Sequence, residues 1–266
     1  STAMIAKSIL VAALLAAPLC AGAQVAWGSR DRVTPPFPPT MRAEPRVEKL
    51  VRDKAKFLQV LYMGTRLSDP SEYTIRARTS MLLTLATCLK FTYCEEPEAT
   101  RDTYLQLLDE LVTAHYTGGG ATASGKPWGH EWQSSYWTWQ AMFSAWLMWG
   151  ELSPDLRRAV LAMAIDEADR FLDLPAPYSR FYDTKAEENA WNSNLLVLLG
   201  EILESHPHRE RWRERGFEYM ISAFATPADC SSQRVVEGKP LSAWLRGANV
   251  HPDFTLENHG FVHPDY

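Results

Sequence analysis

The chain has 266 residues, of which 46% are hydrophobic and 22% charged, and a formal net charge of −5; this is the composition of an ordinary globular protein that can bury a substantial core. The net negative charge and the lack of any Lys/Arg run give no electrostatic reason to expect nucleic-acid binding. Ten tryptophans are many for this length, and indole rings both fill cores and line carbohydrate sites.

Residues 1–23 have the pattern of a secretory signal peptide that follows a short expression scar. Lys7 precedes the apolar run SILVAALLAAPLC, which is too short to span a bilayer comfortably. The sequence Ala-Gly-Ala at 21–23 then supplies a small-x-small cleavage pattern. We therefore expect a secreted or periplasmic protein that makes no membrane contact once the signal is removed.

An extended leader is predicted over residues 24–45, because this stretch is rich in proline, which cannot continue a helix or a central strand. From residue 46 onward the apolar spacing is helical, and strand-like alternation is nearly absent. The exception is a small hairpin predicted around Gly238. We predict an all-α domain over 46–266, and the abrupt end at Tyr266 suggests that this domain is truncated at its C-terminus.

The helical pattern divides into pairs in which a mostly apolar helix is followed by a more amphipathic, charge-rich one. The predicted helices cover residues 71–93, 96–116, 130–152, 153–174, 183–205 and 206–225. Gly-Glu-Leu at 150–152 and Gly-Glu-Ile at 200–202 recur at the ends of two apolar helices. Helices buried on all sides, alternating with helices buried on one face, are what two concentric layers require. Antiparallel hairpins at this period predict a partial or complete α/α toroid.

A glycine-rich loop over residues 117–129 leads into an aromatic segment that opens the third predicted helix. A loop of this length without structure of its own usually has a purpose. Because aromatic rings beside a few polar groups suit a sugar chain, we predict substrate-binding roles for Trp128, His130, Trp132 and Tyr136. A tryptophan-rich core helix is the alternative for the rings deeper in the same run.

Glu188, Asn189 and Asn192 lie in the opening turns of the fifth predicted helix. Glu188 and Asn192 are four residues apart and share a face. Acidic residues at a helix start are explained by the free N–H groups and the helix dipole. Asparagine, in contrast, is a poor residue within a helix unless it has a hydrogen-bonding task. Asn189 and Asn192 are therefore candidate functional residues, and Glu188 is a substrate-binding candidate beside them.

The last fourteen residues, DFTLENHGFVHPDY, form a polar cluster with little helical or strand pattern. The apolar side chains of this loop should pack it against a core. A loop that is held in this way, with a histidine between Asn258 and a glycine, can form one side of an active site. In an alternative interpretation, His251, His259 and His263 bind a divalent metal. The segment contains no HExxH or CxxC spacing that would support this alternative.

Two short stretches resemble the α/α-toroid polysaccharide lyases, the group that includes chondroitin, hyaluronate, xanthan, alginate and heparin lyases. ENAWN is similar to the asparagine-tryptophan motif of their inner helix. ENHGFVHPDY is similar to their His-Gly loop, which is followed by a tyrosine. In architecture the resemblance covers residues 72–266.

The resemblance implies cleavage of a uronic-acid-containing polysaccharide by β-elimination, without a cofactor. It implies that Asn189 neutralises the C5 carboxylate, that His259 removes the C5 proton and that Tyr266 serves as acid or base. Asn192 and Asn258 are alternates for the asparagine, and both are also candidates for substrate binding.

The same scaffold hosts glycoside hydrolases, which require two carboxylates instead. The candidates here are Asp183, Glu187, Glu188, Asp253 and Glu257. Their separation would decide between inversion and retention. A non-catalytic alternative is a helical-repeat protein that binds carbohydrate through a tryptophan-rich concave face. Fold analogy alone does not choose among these functions.

Overall fold

The computed structural model describes residues 43–62 and 65–262. The predicted signal peptide, nearly all of the predicted leader, and both His263 and Tyr266 lie outside these residues. No helix in the described ranges is long and apolar enough to cross a membrane. The chain divides into two compact units, here the N-terminal and the C-terminal unit, which meet in sequence between Glu167 and Ala168.

The N-terminal unit is built around one central helix. Its helices are α1 (Pro45–Tyr62), α2 (Glu72–Lys90), α3 (Pro97–Ala114), α4 (Ser134–Leu147) and α5 (Pro154–Asp169), of which the last two residues belong to the C-terminal unit. Helices α1, α3 and α4 all pack against α2. Helix α2 buries Ile75, Met81, Leu82 and Leu85 completely. Helix α4 is buried on nearly every side, as predicted for an inner helix.

The starts of two helices follow from local hydrogen bonding. The Ser153 hydroxyl accepts from the Leu156 N–H at 3.2 Å, and Pro154 takes the first helical position, where no N–H partner is needed. Ahead of α2, the Asp69 carboxylate accepts at 2.9 Å from the N–H of Ser71, the residue just before the first helical residue. Helix α5 therefore begins where the sequence predicts it.

The C-terminal unit contains a helical pair and two short hairpins. Its elements are α6 (Ala186–Ile202), α7 (Arg209–Ser222), β1 (Val235–Val236), β2 (Lys239–Pro240), β3 (Glu257–Asn258) and β4 (Phe261–Val262). Helices α6 and α7 approach closely at Gly216, where an added Cβ would lie 3.1 Å from Leu196 Cβ. Strands β1 and β2 pair antiparallel, which confirms the hairpin predicted around Gly238.

The second hairpin corrects the prediction of a loop without strand structure near the C-terminus. Strands β3 and β4 pair antiparallel, and the turn between them has φ angles of 55° at His259 and 87° at Gly260. A two-residue turn with positive φ at both positions has the twist that a hairpin requires. Each strand has only two residues, which is too short to show alternation in the sequence.

Across the described residues there are seven α-helices, and the sheets are limited to these two small hairpins. The all-α class is therefore confirmed. The toroidal arrangement of the helices stays a prediction.

Candidate functional site

In the C-terminal unit, a loop over residues 177–185 leads into α6 and is held by one buried amide. Asn249 is fully buried, and its Oδ1 accepts from the backbone N–H groups of Ser179 at 2.9 Å and Lys185 at 3.3 Å. Its Nδ2 donates to the Ser222 carbonyl at the end of α7, at 2.7 Å. This side chain thus joins the 177–185 loop to the end of α7.

The β3–β4 hairpin docks on the same loop. The Gly260 N–H donates to the Tyr182 carbonyl at 2.7 Å, and the Thr184 N–H donates to the Glu257 carbonyl at 2.8 Å. The Glu257 carboxylate also accepts from the Tyr182 N–H at 2.7 Å. The His-Gly turn and the segment that leads into α6 are thus brought together, although Tyr182 and Glu257 are 75 residues apart in sequence.

Glu257 also positions a histidine. His251 Nε2 lies 2.9 Å from Glu257 Oε1, and the His251 ring meets Phe181 edge to face, with centroids 5.4 Å apart. The pKa of Glu257 is lowered, chiefly because the Tyr182 N–H donates to the carboxylate and further because His251 bonds to it. An ionised carboxylate that orients an imidazole is the arrangement that general-base histidines use.

His259, the predicted base, lies at the exposed tip of the hairpin. Its φ of 55° is uncommon for any residue except glycine, although histidine tolerates this region better than most residues do. The ring makes no hydrogen bond or ion pair with a described residue, so its nitrogens are open to a ligand. The neighbouring Asn258 is half-buried.

Asn189 and Asn192 are buried within α6, which differs from the prediction that they contact a substrate. Asn189 is 0% exposed and Asn192 is 7% exposed. Asn189 Nδ2 donates to the Pro177 carbonyl at 2.9 Å, and its Oδ1 has no hydrogen-bond partner among the described residues. The task of Asn189 in this structure is therefore to anchor the start of the 177–185 loop.

Most of the carboxylates considered for a hydrolase are engaged locally. Lys185 Nζ donates to Asp183 at 2.5 Å and to Glu188 at 3.1 Å, so the substrate-binding candidate Glu188 belongs to an ion-pair cluster. Asp253 accepts from the hydroxyl of Thr255 at 2.8 Å and from its N–H at 3.1 Å. These two hydrogen bonds lower the pKa of Asp253. The Asp253 side chain therefore stabilises a local turn.

Two bulky residues beside the hairpin adopt the left-handed region of the backbone. The φ angle is 68° at Tyr182 and 66° at Phe254, which is unusual for side chains of this size. Both residues are exposed, by 69% and 75% respectively. Backbone strain of this kind persists where the surrounding structure over-determines it, and it clusters at functional sites. Exposed rings on a polar framework are typical of a carbohydrate-binding surface.

Sequence reasoning missed one part of this surface, the segment Tyr-Ser-Arg-Phe at 178–181, which lines a pocket in the C-terminal unit. A signal was present, since two aromatic residues and Arg180 stand together in a connection between two predicted helices. Connecting segments carry function more often than helices do.

In the N-terminal unit, the predicted helix start at residue 130 is wrong, because α4 begins at Ser134. Gly129 and His130 have φ angles of 120° and 58°, which lie outside the helical region. The His130 N–H donates instead to the buried Glu167 carboxylate at 2.6 Å. The His130 ring is partly exposed, and its Nε2 lies 2.6 Å from Asp166 Oδ2.

The aromatic substrate-binding candidates of this unit differ in exposure. Trp128 is fully buried, and its indole N–H donates to the Leu111 carbonyl at 2.9 Å, so it is a core residue. Tyr136 is half-buried and stacks on Trp139 with centroids 5.7 Å apart. Trp132 is 54% exposed and lines a pocket of about 430 Å³. Of these three candidates, Trp132 has the exposure that contact with a sugar requires.

One group of metal-ligating residue types occurs in the described part of the chain. The ligand atoms of His115, Asp166 and Glu167 lie within 4.8 Å of one another. However, His115 Nδ1 lies 3.2 Å from the Thr117 nitrogen and 3.0 Å from the Thr117 hydroxyl. In the tautomer in which Nδ1 accepts from the Thr117 N–H, the proton is on Nε2, which faces Glu167 Oε1 at 3.5 Å. A protonated Nε2 has no lone pair for a metal. Because Glu167 also accepts from the Ser134 hydroxyl at 2.7 Å, the group is a hydrogen-bonded hub.

The metal site predicted in the tail involves three histidines with different surroundings. His251 is bonded to Glu257, the His259 ring is exposed, and His263 lies outside the described residues. That site stays a prediction.

No protein-family model, curated protein or solved structure matches this chain. Its function must therefore be inferred from the chemistry of the site.

Proposed function

We propose that this chain is a secreted polysaccharide lyase that cleaves a uronate-containing polysaccharide by β-elimination, on a helical scaffold arranged as a partial or complete α/α toroid. One observation carries the proposal. An exposed histidine, His259, whose ring makes no hydrogen bond or ion pair with a described residue, lies on a hairpin that is held by hydrogen bonds to the strained, aromatic-rich 177–185 loop.

The reaction needs a base, a group that stabilises charge on the carboxylate, and an acid. In the proposed mechanism, His259 removes the C5 proton, the electron pair forms the C4–C5 double bond, and the C4–O bond breaks. The departing oxygen takes a proton from Tyr266 or from water. An amide N–H stabilises the negative charge that develops on the carboxylate. Asn258 fits this role better than Asn189, because Asn189 is fully buried and bonded to a loop carbonyl.

Two of the carboxylates considered for a hydrolase are poorly suited to be its general acid. A glycosidase needs a general acid that stays protonated, which means a carboxyl group with a raised pKa. The pKa of Glu257 is lowered by the Tyr182 N–H, and the pKa of Asp253 is lowered by Thr255. Both shifts have the wrong direction for that acid. An imidazole base, in contrast, requires no protonated carboxyl group.

A binding protein without catalysis is the second candidate, and the exposed rings of Tyr182 and Phe254 support it. The two functions make different predictions for the same incubation. We expect a rise in ultraviolet absorbance when the mature protein is mixed with one member of a panel of uronate polymers, because elimination creates a C4–C5 double bond. New reducing ends without this absorbance would indicate a hydrolase. Binding without either signal would indicate the non-catalytic function.

A further inference from the structure

A pocket of about 540 Å³ opens beside the 177–185 loop in the C-terminal unit. Its wall includes Tyr178, Ser179, Arg180, Phe181 and Cys230. None of these residues is a candidate from the sequence, and the proposed elimination uses none of them.

Among the described residues that line this pocket, Arg180 is the only cation. The guanidinium carbon lies 4.6 Å from the centre of the Phe181 ring, over its face. Arg180 makes no hydrogen bond or ion pair with a described residue, and its Nε is buried without a hydrogen-bond partner. A buried donor left without an acceptor costs free energy. Because Nε is enclosed by protein atoms, a ligand cannot reach it. The two Nη groups are not enclosed in this way and make no hydrogen bond with a described residue, so they are the donors that Arg180 offers to a ligand.

Glu257, an anion within electrostatic range of Arg180, does not pair with it. The Arg180 charge contributes to the lowered pKa of Glu257, so the two groups lie within electrostatic range. The Glu257 carboxylate, however, accepts from Tyr182 on one oxygen and bonds to His251 on the other. It is already engaged on both sides and forms no ion pair with Arg180.

The aromatic walls of the pocket are exposed and held in place. Tyr178 is 52% exposed and Phe181 is 61% exposed. The Tyr178 ring lies against Gly247, where an added Cβ would be 2.1 Å from Cδ2. Ser179, between the two rings, is fixed by its hydrogen bond to Asn249. Rigid exposed rings beside a charged group are suited to a sugar that carries an ionised substituent.

We propose that Arg180 binds the carboxylate of a uronic acid residue end-on, through its two Nη groups, while the sugar ring packs against Tyr178 or Phe181. The pair of Nη groups favours a carboxylate, because the planar guanidinium matches two coplanar oxygens. This inference rests on the proposed function, since it supplies a subsite for the acidic substrate that the lyase would cleave.

The test is calorimetric titration of the full chain with a tetra-uronate, in a His259→Ala background so that the ligand is not consumed. We expect Arg180→Gln to weaken binding by about ten- to a hundredfold, because a charged, two-point hydrogen-bonded contact is lost. Arg180→Lys should also weaken binding, by a smaller factor, since lysine keeps the charge but loses the fork. Arg234→Gln, which removes an exposed arginine of the same unit, is the matched control and should bind like the parent.

Two further ligands distinguish the contribution of the carboxylate to binding from that of the sugar ring. A carboxyl-reduced tetrasaccharide should bind the parent as weakly as the tetra-uronate binds Arg180→Gln. Acetate should bind more weakly than the tetra-uronate, because it has no ring to pack against the aromatic walls. The inference is overturned if Arg180→Gln binds like the parent, if the carboxyl-reduced tetrasaccharide or a sulfated tetrasaccharide without carboxylates binds as tightly as the uronate, or if no uronate binds.

Cleavage by the wild-type chain is measured in parallel, which separates the two proposals. Unsaturated products together with normal binding by Arg180→Gln would refute the subsite and leave the lyase standing. Binding that depends on Arg180, without unsaturated products, would refute the lyase and leave the subsite standing. Circular dichroism of each variant confirms that it is folded.

Discussion

The buried amide of Asn249 holds Ser179 in place, since its oxygen accepts from the Ser179 N–H at 2.9 Å. The same amide donates to the Ser222 carbonyl at 2.7 Å, and the Asn249 carbonyl accepts from the Thr184 hydroxyl at 2.8 Å. One residue thus joins α7 to both ends of the segment that carries Arg180. The geometry of the candidate site depends on this residue more than on either of the asparagines in α6.

We expect Asn249→Ala to lower the free energy of unfolding by about 3 kcal/mol, because several buried partners would lose their hydrogen bonds together. Urea unfolding monitored by fluorescence measures this change. Asn258→Ala is the matched control and should cost less than about 1 kcal/mol, since Asn258 is half-buried. An equal loss in both variants would contradict the role assigned to Asn249.

Gly129 should tolerate no side chain. Its φ is 120°, and an added Cβ would lie 2.6 Å from His115 Nε2 and 3.1 Å from Glu167 Oε1. We expect Gly129→Ala to destabilise the protein by about 3 kcal/mol, through both strain and a clash in the hub. Gly119 also has a positive φ, of 74°, but an added Cβ there would meet nothing within 4 Å. Gly119→Ala should therefore cost only about 1 kcal/mol.

Asp69 should make stability depend on acid pH. The hydroxyl of Ser71, the hydroxyl of Ser68 and the Ser71 N–H lower its pKa from 3.8 to about 2 in the folded state. A depressed folded pKa adds stability above the unfolded value, and that stability is lost as the pH falls toward 2. Asp69→Asn should remove this component, so the urea midpoint should fall less steeply between pH 4 and pH 2. Asp102→Asn, at an exposed position, should retain the steepness of the wild type.

The hub of the N-terminal unit should be indifferent to divalent metals. In the tautomer in which His115 Nδ1 accepts from the Thr117 N–H, Nε2 is a donor and not a ligand. We expect the unfolding temperature to remain unchanged when Zn²⁺ or Mn²⁺ is added, and to remain unchanged with EDTA. Stabilisation by Zn²⁺ that is abolished in His115→Gln would show that the ring adopts the other tautomer and coordinates the metal.

The helices were predictable from the sequence because each has a local signal. The Ser153-Pro154 start of α5 and the all-round apolar composition of α4 and α6 are visible in the chain itself. The start of α4 was not predictable, because the Glu167 carboxylate that captures the His130 N–H lies 37 residues away. A long-range hydrogen bond of this kind leaves no local pattern.

The candidate site was likewise predictable only in part, because some of its features depend on long-range contacts. The polar character of the 257–259 segment is evident in the sequence, but its docking on Tyr182 depends on backbone groups, which carry no side-chain signature. The burial of Asn189 was also hidden, since helical periodicity cannot tell a buried structural amide from one that lines a cleft. Arg180 is a candidate ligand-binding residue because it has no hydrogen-bond or ion-pair partner among the described residues, and a sequence does not show which arginines are paired.

The most direct test of the account is the ultraviolet absorbance of a uronate polymer incubated with the wild type and with His259→Ala. The proposed lyase predicts a rise with the wild type and a rate lower by about 100-fold or more in the variant, because a general base contributes at least that factor. His208→Ala, which changes another histidine of the C-terminal unit, should keep the wild-type rate. An absorbance rise that is unaffected by His259→Ala, or new reducing ends without any rise, would contradict the account.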